Sequence, residues 1–234
     1  MPVSNILQSK RRPKGTGQTV ARQAVSRVHE NHVDVWATNL KTVLKQLAQV
    51  QIGYQARRRI EPDARGVCQV IQIKDLDDQG CLRTDGLYRI TPESNYVRYQ
   101  VSQGDVLFLS RGKRNFATPV DVSLGNTIAA GYFFILKLNS PTVLPDYLAW
   151  YINSAPAQQF IKNVARGTHM PVVPKSAFED LEVDVPTLRT QQTIVALDKL
   201  SRKERSLLQK LEQRRSELVR ASCLQAAKQK IAKG

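Results

Sequence analysis

Long apolar runs are missing from this 234-residue chain. Nothing approaches the roughly 18–20 apolar residues that a membrane span needs, and the best stretch, YFFILKL at Tyr132–Leu138, reads as a buried strand. No apolar segment follows the basic residues Lys10, Arg11 and Arg12, so no secretory leader is expected. Cysteine is scarce. Cys68, Cys81 and Cys223 are scattered and odd in number, which argues against a disulfide framework and for a reducing, cytoplasmic setting.

Catalytic signatures are also missing. There is no Asn/Asp-Pro-Pro-aromatic tetrad of amino-methyltransferases and no G-x-S-x-G elbow. GTGQT at Gly15–Thr19 has the glycines of a phosphate-binding loop but lacks its Gly-Lys-Ser/Thr. His29 and His32 form an isolated H-x-x-H, and His169 stands alone, so no metal site is expected. Pro62-Asp63 followed by Gln72-Ile73-Lys74 loosely imitates a metal-dependent nuclease. Such a site needs a second carboxylate where Gln72 stands, and Asp75, Asp77 and Asp78 read as turn residues ahead of Gly80. No catalytic residue and no cofactor are expected, which leaves a divergent nuclease as the weakest reading.

What the chain does have is positive charge. It carries 35 Lys/Arg against 20 Asp/Glu, a formal +15. Residues 1–60 hold eleven bases and two acids, residues 189–234 twelve and four, and the middle twelve and fourteen. Basic ends therefore flank a near-neutral body. A field of this sign attracts polyanions, nucleic acid foremost.

The organisation points to an α+β fold, with three segments. Residues 1–35 mix basic, Gly and Pro residues without an apolar period and suit a flexible basic arm. From about residue 36 to 186 the pattern is that of a mixed α/β domain, and the 41% hydrophobic content suffices for a core. TVLKQLAQVQIGY reads as a short helix or turn leading into a strand, Val67–Ile73 as a strand, and Gly104–Gly112 as a strand between glycine signals. TIAAGYFFILKL supplies at least one more. After Pro145, Tyr147, Leu148, Tyr151 and Ile152 share one helical face. Ser154 is positioned to cap a second helix ending at Gly167, and Ser176–Glu179 has capping-box spacing. Leu181–Val185 alternates as a strand, Pro186 stops it, and Thr187 can cap a last helix.

Residues 187–234 form that helix, with neither Pro nor Gly between Leu188 and Lys230. Leu197, Leu200, Leu207, Leu211, Leu218 and Ala221 fit a heptad seam broken at Glu204 and Arg214. A helix folding back on its own domain would show a similar stripe. At ~60 Å it is too long to pack along one small domain, so a coiled-coil partner helix is expected.

Basic clusters at strand ends are the candidate ligand contacts. They are Arg57, Arg58 and Arg59, Lys74, and the Ser110, Arg111, Lys113, Arg114, Asn115 loop, with Arg166, Thr168 and Lys175 completing the set. Arg and Lys suit phosphate contacts, while Asn115 and an arginine or two could reach base edges.

The order of these motifs resembles one half of the DNA-specificity (S) subunit of type I restriction–modification systems. The likeness is carried by VIQIKDL after Gly53-Tyr54, GDVLFLSRG, LPDYLAWYINS, ARGTHMPVVPKSAFEDLEVDVP and LRTQQTIVALDKL, and spans roughly Val43 to Ala221. At the start of the last helix the family usually has Pro-Pro-Leu-x-Glu-Gln, where this chain reads Pro186-Thr187-Leu188-Arg189-Thr190-Gln191. The resemblance implies a non-catalytic subunit. It would carry a target-recognition domain for double-stranded DNA and a spacer helix that sets half-site spacing and docks methyltransferase subunits, with a restriction subunit beyond them. One domain and one helix, where the full subunit has two of each, imply a homodimer paired head to tail through the helix. The competing expectation is a stand-alone DNA-binding regulator or phage-defence accessory without a methyltransferase.

Overall fold

The computed structural model describes residues 40–231, apart from 78 and 94. The basic arm, His29, His32 and the GTGQT segment lie outside the described residues, as does Asp78. The described residues are α+β, with three small sheets, four short helices and one long C-terminal helix. Its strands are β1 (Leu40–Val43), β2 (Ala48–Ile52), β3 (Cys68–Ile71), β4 (Tyr88–Ile90), β5 (Val106–Leu109), β6 (Ala117–Pro119), β7 (Thr127–Ala129), β8 (Phe133–Leu138) and β9 (Glu182–Val185). The helices are α1 (Leu44–Leu47), α2 (Pro145–Ile152), α3 (Ala155–Val164), α4 (Lys175–Glu179) and α5 (Leu188–Ile231).

An antiparallel sheet in the order β2-β8-β5-β6 forms the centre. β5 throughout and β8 over Phe133–Leu136 are apolar because both faces are covered there, and side chains alternate across a strand. Val106, Phe108, Phe134 and Leu136 point into one cluster with α2, α3 and α4. Leu107, Leu109, Phe133 and Ile135 point into the other with Ile71 and Val120. In the first cluster Phe178 stacks on Phe108 with ring centroids 4.1 Å apart. The sheet β4-β3-β7 pairs β3 parallel to β7, and β1-β9 forms a separate antiparallel ribbon. Gly53 joins the first two sheets. A Cβ there would lie 2.3 Å from the Ala130 carbonyl oxygen, so only glycine permits the approach, and the Tyr54 N–H donates to the Ala129 carbonyl at 2.7 Å.

Several local expectations change in the structure. The Val67–Ile73 strand is shortened to Cys68–Ile71, because Ile73–Asp75 turns as a 3₁₀ segment in which the Asp75 carboxylate accepts from the Gln72 N–H at 2.7 Å. TIAAGYFFILKL yields two strands, β7 and β8, broken at Gly131. Ser154 occupies the cap position of α3, yet its hydroxyl makes no capping bond and is buried without a partner. That helix ends at Val164, three residues before Gly167. Ser176 lies inside α4 rather than capping it. The helix starts directly after Pro174, and insertion of Phe178 beneath Phe108 fixes that register.

The long helix begins as expected, with the Thr187 hydroxyl accepting from the Thr190 N–H at 3.3 Å. Gln191, 0% exposed, fastens it to the body. Its amide oxygen accepts from the Leu144 N–H at 2.9 Å, and its NH₂ donates to the carbonyls of Thr142 and Pro186, each at 2.8 Å. Ile194 and Val195 pack against the core cluster, and Lys199 pairs with Asp146 at 2.6 Å. Past Arg202 the described side chains are exposed, Ser206 alone being half-buried. The seam leucines stand in solvent, Leu207 at 55%, Leu211 at 66% and Leu218 at 68% exposure. Among the described residues no helix is long and apolar enough to cross a membrane.

Candidate nucleic-acid interface

Four cations from three separate stretches of sequence converge on one open basin of about 680 Å³. Arg58 and Arg59 come from the loop after β2, Lys74 from the 3₁₀ turn after β3, and Arg111 from the loop after β5. None of the described residues lining the basin is acidic. Two tyrosines share the wall. The Lys74 ammonium sits over the Tyr88 ring, and the Arg111 guanidinium lies 6.0 Å from the Tyr132 ring centre. Such contacts keep each charge while limiting the side chain's freedom.

The Arg111 loop is built by its neighbours. Gly112 takes φ +113, a conformation that favours glycine, and its N–H donates to the Pro171 carbonyl at 2.9 Å. Val172 bridges both Arg111 and Arg166, and the Arg166 and Val172 backbones exchange hydrogen bonds of 2.9 and 2.8 Å. The Ala165–Val173 segment therefore buttresses the basin and sets Arg166 and the exposed turn at Thr168 beside it. Met170 of that turn lines the basin. Arg57 is exposed next to Arg58.

The other expected contacts lie elsewhere. Ser110 is 1% exposed, and its hydroxyl donates to the Tyr132 carbonyl at 2.9 Å. It ties the loop to β8 and has no surface to offer a ligand. Lys113, Arg114 and Asn115 face a separate cleft beside α5, and the Asn115 NH₂ is bonded to the Leu109 carbonyl at 2.9 Å. Lys175 lies on a third surface near Arg98 and pairs with Glu179 at 3.3 Å.

The carboxylates of the nuclease-like pattern are occupied by their own turns. Asp63 accepts from the Arg65 N–H and the Thr91 hydroxyl, both at 2.9 Å. Asp77 accepts from the N–H groups of Gln79 and Cys81 at 2.9 and 2.8 Å. Among the described residues no group of three or more His, Cys, Asp or Glu comes together as a cation site. Tyr88 and Tyr132 were not singled out in the sequence. Neither adjoins the basic clusters along the chain, so only the sheet pairing brings them to the wall.

A mixed α+β body carrying one long terminal helix defines the fold class, and solved structures share it. The chain is similar to the HsdS subunit from Thermoanaerobacter tengcongensis, with a TM-score of 0.51 and 14% identity, over 81% of this chain and 48% of that one. It is also similar to a chain from a structure addressing complex assembly and conformational transition of the type I R-M system. There the TM-score is 0.50 and the identity 15%, over 81% of this chain and 49% of that one. A weaker likeness is to the type I restriction–modification S subunit from M. genitalium, with a TM-score of 0.47 and 13% identity, over 70% of this chain and 38% of that one. The chain spans about half the length, or less, of these neighbours. No protein-family model and no curated protein sequence matches it.

Proposed function

We propose that this chain is the DNA-recognition subunit of a type I-like restriction–modification assembly. Its body reads duplex DNA, its terminal helix joins it to other subunits, and methyl transfer and cleavage belong to those partners. The single observation that carries this is the basin, where Arg58, Arg59, Lys74 and Arg111 converge without an opposing carboxylate among its described lining residues. Duplex DNA presents closely spaced phosphates and base edges rich in acceptors, and arginine serves both. Arg57, Arg166 and Thr168, exposed at its margin, extend the contact. The fold shared with S-type chains supports the same assignment, as does a helix whose leucines stand bare.

Residues 36–186 act as the recognition domain and residues 187–234 as the spacer. Two copies paired through the exposed leucines of α5 make a two-domain reader. Leu197, Leu200, Leu207, Leu211, Leu218 and Ala221 form that seam, and the site is cytoplasmic, where the duplex is.

Selection from a randomised duplex library tests the proposal. The full chain is expected to enrich one discrete sequence, bound with an affinity that falls steeply with salt. Arg58→Gln and Arg111→Gln are each expected to weaken that binding by about 10–100-fold, the range of 1–3 kcal/mol for a good base or phosphate contact. A chain that enriches nothing overturns duplex recognition. A chain that binds its sequence but fails to co-purify with a methyltransferase subunit is instead a stand-alone DNA-binding accessory.

A further inference from the structure

Where the 110–116 loop meets α5, a second cationic concavity of about 570 Å³ opens. Lys113 and Arg114 enter it from the loop, Lys162 from the last turn of α3, and Arg202 and Arg205 from α5. Among the described lining residues one carboxylate, Asp198, faces these cations, and Arg202 holds it at 2.7 Å. Its floor is fixed. Asn153 at the end of α2 accepts from the Ala117 N–H and donates to the Ala117 carbonyl, both at 2.8 Å, locking helix to sheet beneath the charges. Like charges gathered from three elements repel one another, and a bound polyanion relieves that repulsion.

The loop decides which polyanion fits. Arg111 faces the basin while Lys113 and Arg114, two and three residues further on, face the cleft, with the Gly112 turn between them. A nucleic-acid backbone leaving the basin over this loop meets the second cluster next. An acidic protein segment would have no reason to share the loop with the basin. We infer that the cleft is a second phosphate site for the same duplex, so that the nucleic acid touches the long helix as well as the body. The inference rests on the proposed duplex recognition and adds Lys162, Arg202 and Arg205 to it. It also assigns Lys113 to phosphate contact away from the bases.

The test uses the full chain and a 40-base-pair duplex of arbitrary sequence, titrated at several salt concentrations. A Lys162→Gln/Arg205→Gln variant is expected to bind about tenfold more weakly, with the slope of log affinity against log salt reduced by roughly 2, near 0.9 per lost phosphate contact. Its preference for a selected sequence over the arbitrary one is expected to stay unchanged. An Arg215→Gln/Arg220→Gln variant removes the same charge further along α5 and is expected to change affinity less than twofold. Equal losses in both variants would reduce the cleft to a share of the general field and overturn the site. Wild-type affinity and slope in the cleft variant would overturn it as well. That outcome joined to lost co-purification with a partner subunit would make the cleft a protein-docking surface instead. If the wild-type chain itself binds no duplex, duplex recognition fails rather than the placement of this site.

Discussion

Residues 188–202 and 203–231 belong to one unbroken helix, α5, with the same charged, leucine-dotted composition throughout, yet they live in different surroundings. The first segment is fastened by a buried amide at Gln191, by Ile194 and Val195 against the core, and by the Lys199–Asp146 pair. In the second the described side chains are exposed apart from the half-buried Ser206, and its leucines stand in solvent. Leu197 and Leu200 are exposed too, so the seam faces away from the body even where the helix is docked. Docking, then, is decided by a few residues of the right shape and hydrogen-bonding capacity. A leucine period alone does not dock a helix. The distal ~29 residues extend about 43 Å, and an exposed apolar stripe of that length is costly in water unless another surface covers it.

Substitutions in the body sharpen this contrast most. Phe178→Ala removes a fully buried ring stacked on Phe108, and the unfolding free energy is expected to drop by about 3–5 kcal/mol in urea titration. At the junction, Gln191→Ala leaves the Leu144 N–H and two carbonyls without their partner, and a loss of about 1–3 kcal/mol is expected by the same measurement. No loss at Gln191 would mean that the helix is not held there.

Tyr147 gives the smallest and most pH-dependent effect. Burial, with Tyr151 and Asp184 adding to it, raises its phenol above the ordinary tyrosine range, and the hydroxyl donates to the Asp184 carbonyl. The folded state therefore holds the proton more tightly than the unfolded chain. The resulting stability is complete below about pH 10, the unfolded value, and declines as pH rises above it. Tyr147→Phe is expected to lower stability by about 0.5–1.5 kcal/mol at pH 7 and to flatten the decline above pH 10. An unchanged alkaline slope would show that this phenol is not what titrates.

Elements carried by strong periodicity are legible in the sequence alone. The buried strand in GDVLFLSRG, the Tyr147 face of α2 and the uninterrupted α5 each follow from local pattern, because apolar spacing and the absence of Pro and Gly dictate them. Capping was less legible. Ser154 and Ser176 have the right residue type and spacing, but packing of the adjoining side chains, Phe178 above all, sets the register. The basic clusters were visible as clusters, but their partition was not. A single positive-φ glycine sends Arg111 one way and Lys113 the other, and Ser110 turns inward. Lys162 and Arg205 carry no local signal, and although Gln191 stands in the helix-entry pattern, its partners Thr142 and Leu144 lie tens of residues away in sequence.

The bare distal helix is the feature on which the whole arrangement turns, and sedimentation equilibrium of the full chain addresses it directly. The wild type is expected at twice the single-chain mass. A Leu207→Ala/Leu211→Ala/Leu218→Ala variant is expected at the single-chain mass, with the body's melting temperature unchanged. A wild-type chain that stays monomeric at tens of micromolar, alone and mixed with a methyltransferase subunit, would contradict the proposed role of α5 as a pairing rod.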